Sequence, residues 1–293
     1  MRRGDMIGSL YASIAMLLMG SSVAVSSVIR HYPALGGQAA RYALSAAALG
    51  LLLRARGNLP RPALRDLALL LALALTGLVG FNLFLLAALN HADPAAIGVI
   101  VGCVPIALAL AGPLAEPRRP RPRTLWATGI VSLGAAVVQG AGTVSLQGVL
   151  LAFGVLTCEV AFSLLAVPLL PRLGPIAVST YVAALAAVIL FLAAAFVDRG
   201  GALPVPTFAQ AAVIGYLGLA ATTCAFVAWY AGIGVLGTAR AGLFAGLAPI
   251  STLACSVILG TDSLSPLRVL GVLVVGAGVT AGMAQTADRP STE

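Results

Sequence analysis

Lysine is absent from this chain: its 17 basic residues are all arginine, set against nine acidic residues and two histidines, so that only 9% of 293 residues carry charge. Without lysine a GxxxxGK[ST] phosphate loop and a lysine Schiff base are both impossible. No HExxH occurs and no pair of aspartates lies inside an apolar run, which removes the working parts of metallo- and aspartyl-type intramembrane proteases. Rings of acidic residues suited to a cation channel are missing as well. Cys103, Cys158, Cys224 and Cys255 all lie within apolar runs at irregular spacing, so they read as small hydrophobes and not as a metal site or a disulfide framework. His31 and His91 are too isolated to ligate a metal and are read as interfacial. These absences leave no cofactor, metal, nucleotide or nucleic acid to expect.

Apolar residues are what the chain has in abundance, at 60% hydrophobic with a mean hydropathy of +1.04, more than a soluble domain needs for its core. A polytopic membrane protein follows, with the lipid bilayer as its solvent. At about 20 residues per span, ten runs emerge: 7–29, 35–53, 66–90, 94–112, 124–141, 147–169, 176–197, 208–230, 238–259 and 265–284. The first follows Met1-Arg-Arg in the manner of a secretory signal, but it is long and many spans follow, so it is expected to remain as a helix. The net charge of +8 is concentrated in short loops. Arg2, Arg3, Arg54, Arg56, Arg61, Arg65, Arg118, Arg119, Arg121, Arg123, Arg172, Arg240 and Arg289 fall on one side, and only Arg30, Arg199 and Arg268 on the other. Both termini are therefore expected in the cytoplasm, and the charge reads as topology.

The chain repeats itself. Gly98, Gly102 and Pro105 recur as Gly242, Gly246 and Pro249, each pair 144 positions apart, at i, i+4 and i+7 on one helix face. Gly129, Gly134 and Gly140 recur as Gly271, Gly276 and Gly282 at an offset of 142, and Gly8 recurs as Gly148. Five spans per half is an odd number, so the second half must enter the membrane from the opposite side. The expected fold is an all-α polytopic membrane protein, ten transmembrane helices forming two inverted five-helix repeats at 1–143 and 144–293, in one integrated unit. The faces bearing Gly98 and Gly242 suit either close helix packing or a cavity wall where gating helices approach, and the prolines tilt the balance toward the cavity.

This arrangement resembles the drug/metabolite transporter superfamily and its EamA-type members. The matching residues are Met19-Gly20-Ser21 in the first span, Arg41 in the second, Gly98 to Pro105 in the fourth and Gly129 with Gly134 in the fifth, and the likeness covers roughly 8–284. The whole chain looks closest to the YddG-type aromatic amino-acid exporters. That resemblance implies a secondary transporter in the bacterial inner membrane, with amino acids as substrate.

Few polar groups lie inside the spans. Glu159 is the one carboxylate near the middle of a span; it is a candidate to bind a substrate ammonium or to carry a proton, or else a protonated acid bonded to a neighbouring helix. The small multidrug-resistance relatives use a glutamate in their first helix, and Glu159 lies in the first helix of the second half. Arg41 is a candidate to hold a substrate carboxylate through its guanidinium, or to reach the outer headgroups. Asn82 and Ser251 offer neutral hydrogen bonds to a substrate or between helices. Tyr181 occupies the position that repeats Arg41 and is a candidate cavity residue, whereas Trp126, Trp229 and Tyr230 near the cytoplasmic ends read as belt anchors. The function expected is export of amino acids with aromatic or bulky apolar side chains by alternating access around a midplane cavity, in a monomer, with oligomers left open. The alternative is a multidrug or organic-cation exporter with Glu159 as its cation or proton site, and a lipid-acting enzyme built on Ser251 and Glu159 is the remote third reading.

Overall fold

The computed structural model describes residues 3–29, 32–57, 60–116, 121–197 and 204–283. Arg2, Arg30, His31, Arg118, Arg119, Arg199 and Arg289, which enter the sequence argument, lie outside them. Ten helices of 18 residues or more account for nearly all of the described chain. They are α1 Arg3–Ser26, α2 Ala34–Ala55, α3 Leu64–Ala88, α4 Pro94–Leu114, α5 Pro122–Gln139, α6 Leu146–Leu164, α7 Leu170–Val197, α8 Phe208–Leu236, α9 Thr238–Ile258 and α10 Pro266–Met283. Eight are long and apolar enough to cross a bilayer; α2 and α5 are long enough but fall short in hydropathy. Gly36, Gly37, Gln38 and Arg41 dilute α2, and Thr124, Thr128, Ser132 and Gln139 dilute α5.

Local chemistry sets the ends. Pro94, Pro122 and Pro266 open α4, α5 and α10 at positions where a missing N–H costs no helical bond. The Ser145 hydroxyl caps α6 by accepting from the Gly148 N–H, and Thr207 with Gln210 forms a reciprocal capping box at α8. The eighth helix runs to Leu236, beyond the expected limit of 230, because no breaker intervenes before Gly237, whose φ of +79° turns the chain straight into α9. The sixth stops at Leu164, short of the expected 169, and a turn with fully buried Ala166 and Leu169 leads to α7. An isolated antiparallel bridge pairs Ala92 with Val144. Beside it the Thr143 backbone N–H and hydroxyl both donate to Asp93, holding its carboxyl below the ordinary carboxylate range.

Helices pack reciprocally between the two halves. α2 lies along α7 and α5 along α10, while α1 packs on α8 and α9 much as α6 packs on α3 and α4. The α5–α10 contact is antiparallel and built from small residues: Ala127 meets Gly282, Val131 meets Gly278, Gly134 meets Val275 and Val138 meets Gly271. In lipid, close backbone approach of this kind stands in for the hydrophobic drive that water would supply. The two least apolar helices thus spend a face on a partner instead of on lipid, which is why they tolerate low hydropathy. Outward faces carry Leu51, Leu133, Leu150, Phe191 and Leu273, all largely exposed.

Glycines on the same helix differ sharply in what they permit. A Cβ on Gly134 would lie 2.7 Å from the Val275 nitrogen, whereas one on Gly129 would meet nothing within 4 Å. Gly134→Val should lower stability by about 1–3 kcal/mol through overpacking, and Gly129→Ala should be neutral or add up to about 1 kcal/mol from helix propensity. Thermal unfolding of both purified variants in detergent checks the contrast.

Candidate functional site

Apart from the kink at Gly174 near the start of α7, four of the ten helices are irregular part-way along their length, and those four irregularities recur at the repeat spacing. In α3 the turn widens to π geometry over Ala74–Gly80, and in α8 over Leu219–Cys224, so that Leu75 corresponds to Leu219 and Gly80 to Cys224. In α4 the helix breaks at Gly102 and Cys103, and in α9 it tightens to 3-10 geometry over Leu243–Gly246, with Gly102 corresponding to Gly246. A π turn leaves backbone carbonyls without their usual partner. Inside a membrane such groups must be satisfied by protein.

Side chains near the two π turns supply what is missing. In α8 the Thr222 hydroxyl donates to the Leu217 carbonyl at 2.7 Å, and Thr223 Oγ1 lies 2.9 Å from both the Gly218 carbonyl and the Ser45 hydroxyl of α2. Arg41 reaches the same turn from α2: its Nε donates to Thr222 Oγ1 at 2.6 Å, and its terminal nitrogens approach Gln38 Oε1 at 3.4 Å and the Ala221 carbonyl at 3.5 Å. The guanidinium carbon also lies 5.4 Å from the ring centroid of Tyr42. In α3 the Thr76 hydroxyl donates to the Ala72 carbonyl, while the Asn82 amide donates to the Leu78 carbonyl at 2.6 Å and across to the Tyr42 hydroxyl at 3.0 Å. Consecutive residues of α2 therefore tend both widened helices, Arg41 on α8 and Tyr42 on α3.

The remaining candidates fall in separate places. Ser251 donates to the Leu17 carbonyl of α1 at 2.6 Å, beside Thr252, whose hydroxyl lies 2.8 Å from the Gly20 carbonyl. A side chain on Gly20 would run into the Ala248 carbonyl, so the glycine of Met19-Gly20-Ser21 makes this crossing possible. Ser21 completes the attachment of α1 with a 2.5 Å bond to the Tyr216 hydroxyl of α8. Tyr181 donates to the Pro60 carbonyl in the α2–α3 connection at 2.7 Å and does not join Arg41. The repeated glycine faces sit against helices: Gly98 against Gln139, Gly102 against Ala135 of α5, Gly242 against Leu108 and the Pro105 Cα, and Gly246 against Val131. Pro105 is buried, and Pro249, on α9, is half-buried.

Glu159 differs from all of these. It lies on α6 five residues before the helix ends at Leu164, nearer to that end than the longer expected span implied. Its backbone carbonyl accepts from the Ser163 hydroxyl at 3.3 Å, and Ser163 in turn accepts from the Trp229 indole N–H at 3.1 Å. The carboxylate is half-buried and, among the described residues, has neither an ion-pair nor a hydrogen-bond partner. One turn further, Phe162 packs against Phe226 and Tyr230 with ring centroids 4.9 and 5.1 Å apart. Trp229 and Tyr230 are 2% and 0% exposed, which corrects their assignment to the membrane belt. The extension of α8 to Leu236 moves both a turn or more inward, where they face α6. Trp126, by contrast, is 77% exposed near the start of α5.

Sequence reasoning selected Arg41 and Asn82 but missed their partners Thr222 and Tyr42, the Ser45–Thr223 pair beside them, and Ser163. The adjacent threonines after Gly218 and the Gly77, Gly80 spacing were the available signals, since hydroxyls and glycines are where widened turns find relief.

Comparison with known proteins bears on the whole chain. The model of the EamA-like transporter family matches twice, over residues 6–139 and 146–281. An uncharacterized transporter, YdeK of Bacillus subtilis (strain 168), is 31% identical over 178 residues, covering 59% of this chain and 60% of that protein, so the match spans less than two thirds of the relative's length. A solved crystal structure superposes with a TM-score of 0.82 at 20% identity, over 96% of this chain and 99% of the other, a likeness of fold.

The Arg41–Thr222 contact should behave as one unit. Arg41→Gln and Thr222→Val should each destabilise the protein, and a double-mutant cycle should give a coupling of about 1–2 kcal/mol, because one change removes the bond that the other would remove. Additive losses in thermal or denaturant unfolding would show that Arg41 is held by something else.

Proposed function

The chain belongs to the EamA-like transporter family, and from that premise we propose that it exports amino acids with aromatic or other bulky apolar side chains from the bacterial cytoplasm. The finer kinship with YddG-type exporters is part of this proposal and rests on the resemblance of motifs. In this reading all ten helices cross the inner membrane as two inverted five-helix repeats, divided near residues 143 and 144, with both termini cytoplasmic and a monomer as the working unit. The antiparallel α5–α10 crossing, the reciprocal packing and the matched helix faults support the inverted arrangement.

The observation that carries the proposal is the Glu159 carboxylate, half-buried without a partner among the described residues while Arg41, Asn82 and Ser251 are engaged by their neighbours. A charge in such a place calls for a counter-charge, and a substrate ammonium or a proton supplies one. Largely apolar surroundings suit a substrate with a large apolar portion and a small polar end. Rocking of the halves would carry that substrate across, with the faces of Gly98, Gly102, Pro105, Gly242, Gly246 and Pro249 letting α4 and α9 slide on α5 and on each other at low steric cost. Tyr181 of α7, bonded to the α2–α3 connection, would steady one edge of the moving unit. The same carboxylate favours a second reading, an organic-cation exporter with Glu159 as cation or proton site.

Purified protein in proteoliposomes should take up radiolabelled phenylalanine or tryptophan in a saturable manner. Acceleration by an imposed pH gradient assigns Glu159 the proton, and indifference to the gradient leaves it a binding role. Failure to take up either amino acid, with uptake of tetraphenylphosphonium in its place, overturns the substrate class in favour of organic cations.

A further inference from the structure

We propose that the end of the bundle at which α1 begins is closed by a charged latch between the two halves, which must part for substrate to pass on that side. Four contacts make it. Asp5 on α1 pairs with Arg240 on α9 at 2.9 Å, and Asp66 at the start of α3 pairs with Arg172 ahead of the α7 kink at 2.6 Å. Glu116, after α4, accepts the Thr238 backbone N–H at 2.7 Å, and Tyr181 on α7 reaches the Pro60 carbonyl. Every one of these contacts joins a residue before position 143 to one after it. At the opposite end, among the described residues, the Tyr32 hydroxyl with the Pro204 carbonyl and Ser145 with the His91 carbonyl join the halves without charge, Asp93 holds Thr143 within the first half, and Asp262 pairs with Arg268 six residues on, at the start of α10.

The latch differs from incidental surface pairing in two respects. Asp66 is only 2% exposed, and its other oxygen accepts the Ala63 N–H, so losing Arg172 would strand a buried carboxylate. The two arginines also lie beside the joints where a rotation is easiest to absorb. Arg172 is two residues from Gly174, with φ of +75°, and Arg240 three residues from Gly237, with φ of +79°. Glycines in that left-handed region change conformation without the Cβ penalty that other residues meet. Charged contacts thus hold the two segments shut, and glycine pivots let them swing once those contacts break.

The proposal rests on alternating access, but its test needs no substrate. Hydrogen–deuterium exchange is measured on the full-length protein in lipid nanodiscs, for the wild type, for Asp66→Asn and Arg240→Gln, and for the charge-exchanged double variant Asp5→Arg with Arg240→Asp. Neutralising a pair should speed exchange at Leu165–Leu173 and Thr238–Gly242 by about tenfold or more. It should at the same time slow exchange at the opposite end, around Tyr32 and Thr207. The charge-exchanged variant should return both ends toward wild type, and it serves as the working comparison should a neutral variant fail to fold. Faster exchange at the latch with no change at the opposite end would reduce these pairs to local braces and overturn the proposal, as would no change at either end. Lack of amino-acid uptake would count against the substrate class and leave reciprocal exchange standing.

Discussion

A bilayer offers no water to a broken helix, and most of this structure follows from that one constraint. Four helices depart from regular geometry near their middles, and each departure frees backbone groups that protein must satisfy. The Thr222 and Thr223 hydroxyls, the Asn82 amide and the Arg41 guanidinium all go to that task, and α2 is held in place by reaching both widened helices at once. A residue that looks like a ligand for substrate is here, in the described conformation, a ligand for backbone. The faults recur at one spacing while their repairs differ, for Thr222 and Thr223 stand where α3 has Leu78 and Val79, and Asn82 stands where α8 has Phe226.

Much of the architecture was legible beforehand because lipid imposes a simple code. The ten expected runs coincide with ten described helices, eight of them apolar enough to cross a bilayer and most ends agreeing to a few residues, and the glycines repeating at offsets of 142 and 144 point to helices of equal rank that do pack between the halves. Hydropathy could not report that α2 and α5 lie against α7 and α10, because their low apolarity is itself the consequence of that packing. Helix ends were misjudged at Leu164 and at Leu236, where Gly237 and not residue 230 marks the stop, and the second error placed Trp229 and Tyr230 at the membrane surface instead of inside. The π turns carry only faint sequence marks, the glycines Gly77 and Gly80 and the adjacent Thr222 and Thr223. No proline signals them, and their identifying contacts, Arg41 to Thr222 and Asn82 to Tyr42, span 181 and 40 residues of sequence.

Charge is distributed to match. At the end where α1 begins, acidic residues of the first half meet arginines of the second, whereas among the described residues the carboxylate of Glu159 is left unmatched. A transporter needs both features: contacts that are strong but breakable at a gate, and a binding group that stays open until a substrate or a proton arrives. Glycine at the crossings keeps the helices close, and Gly174 within α7 and Gly237 between α8 and α9 are where the proposed movement would turn.

The claim that interior polarity divides into repair groups and one working group is tested most directly by comparing Asn82→Leu with Glu159→Gln for both melting temperature and transport. Removing Asn82 should lower the melting temperature by several degrees, about 1–3 kcal/mol of lost satisfaction for the Leu78 carbonyl and Tyr42 hydroxyl. Replacing Glu159 should leave the melting temperature unchanged or higher while abolishing transport. A Glu159→Gln protein that unfolds early, or that transports at the wild-type rate, would contradict the account.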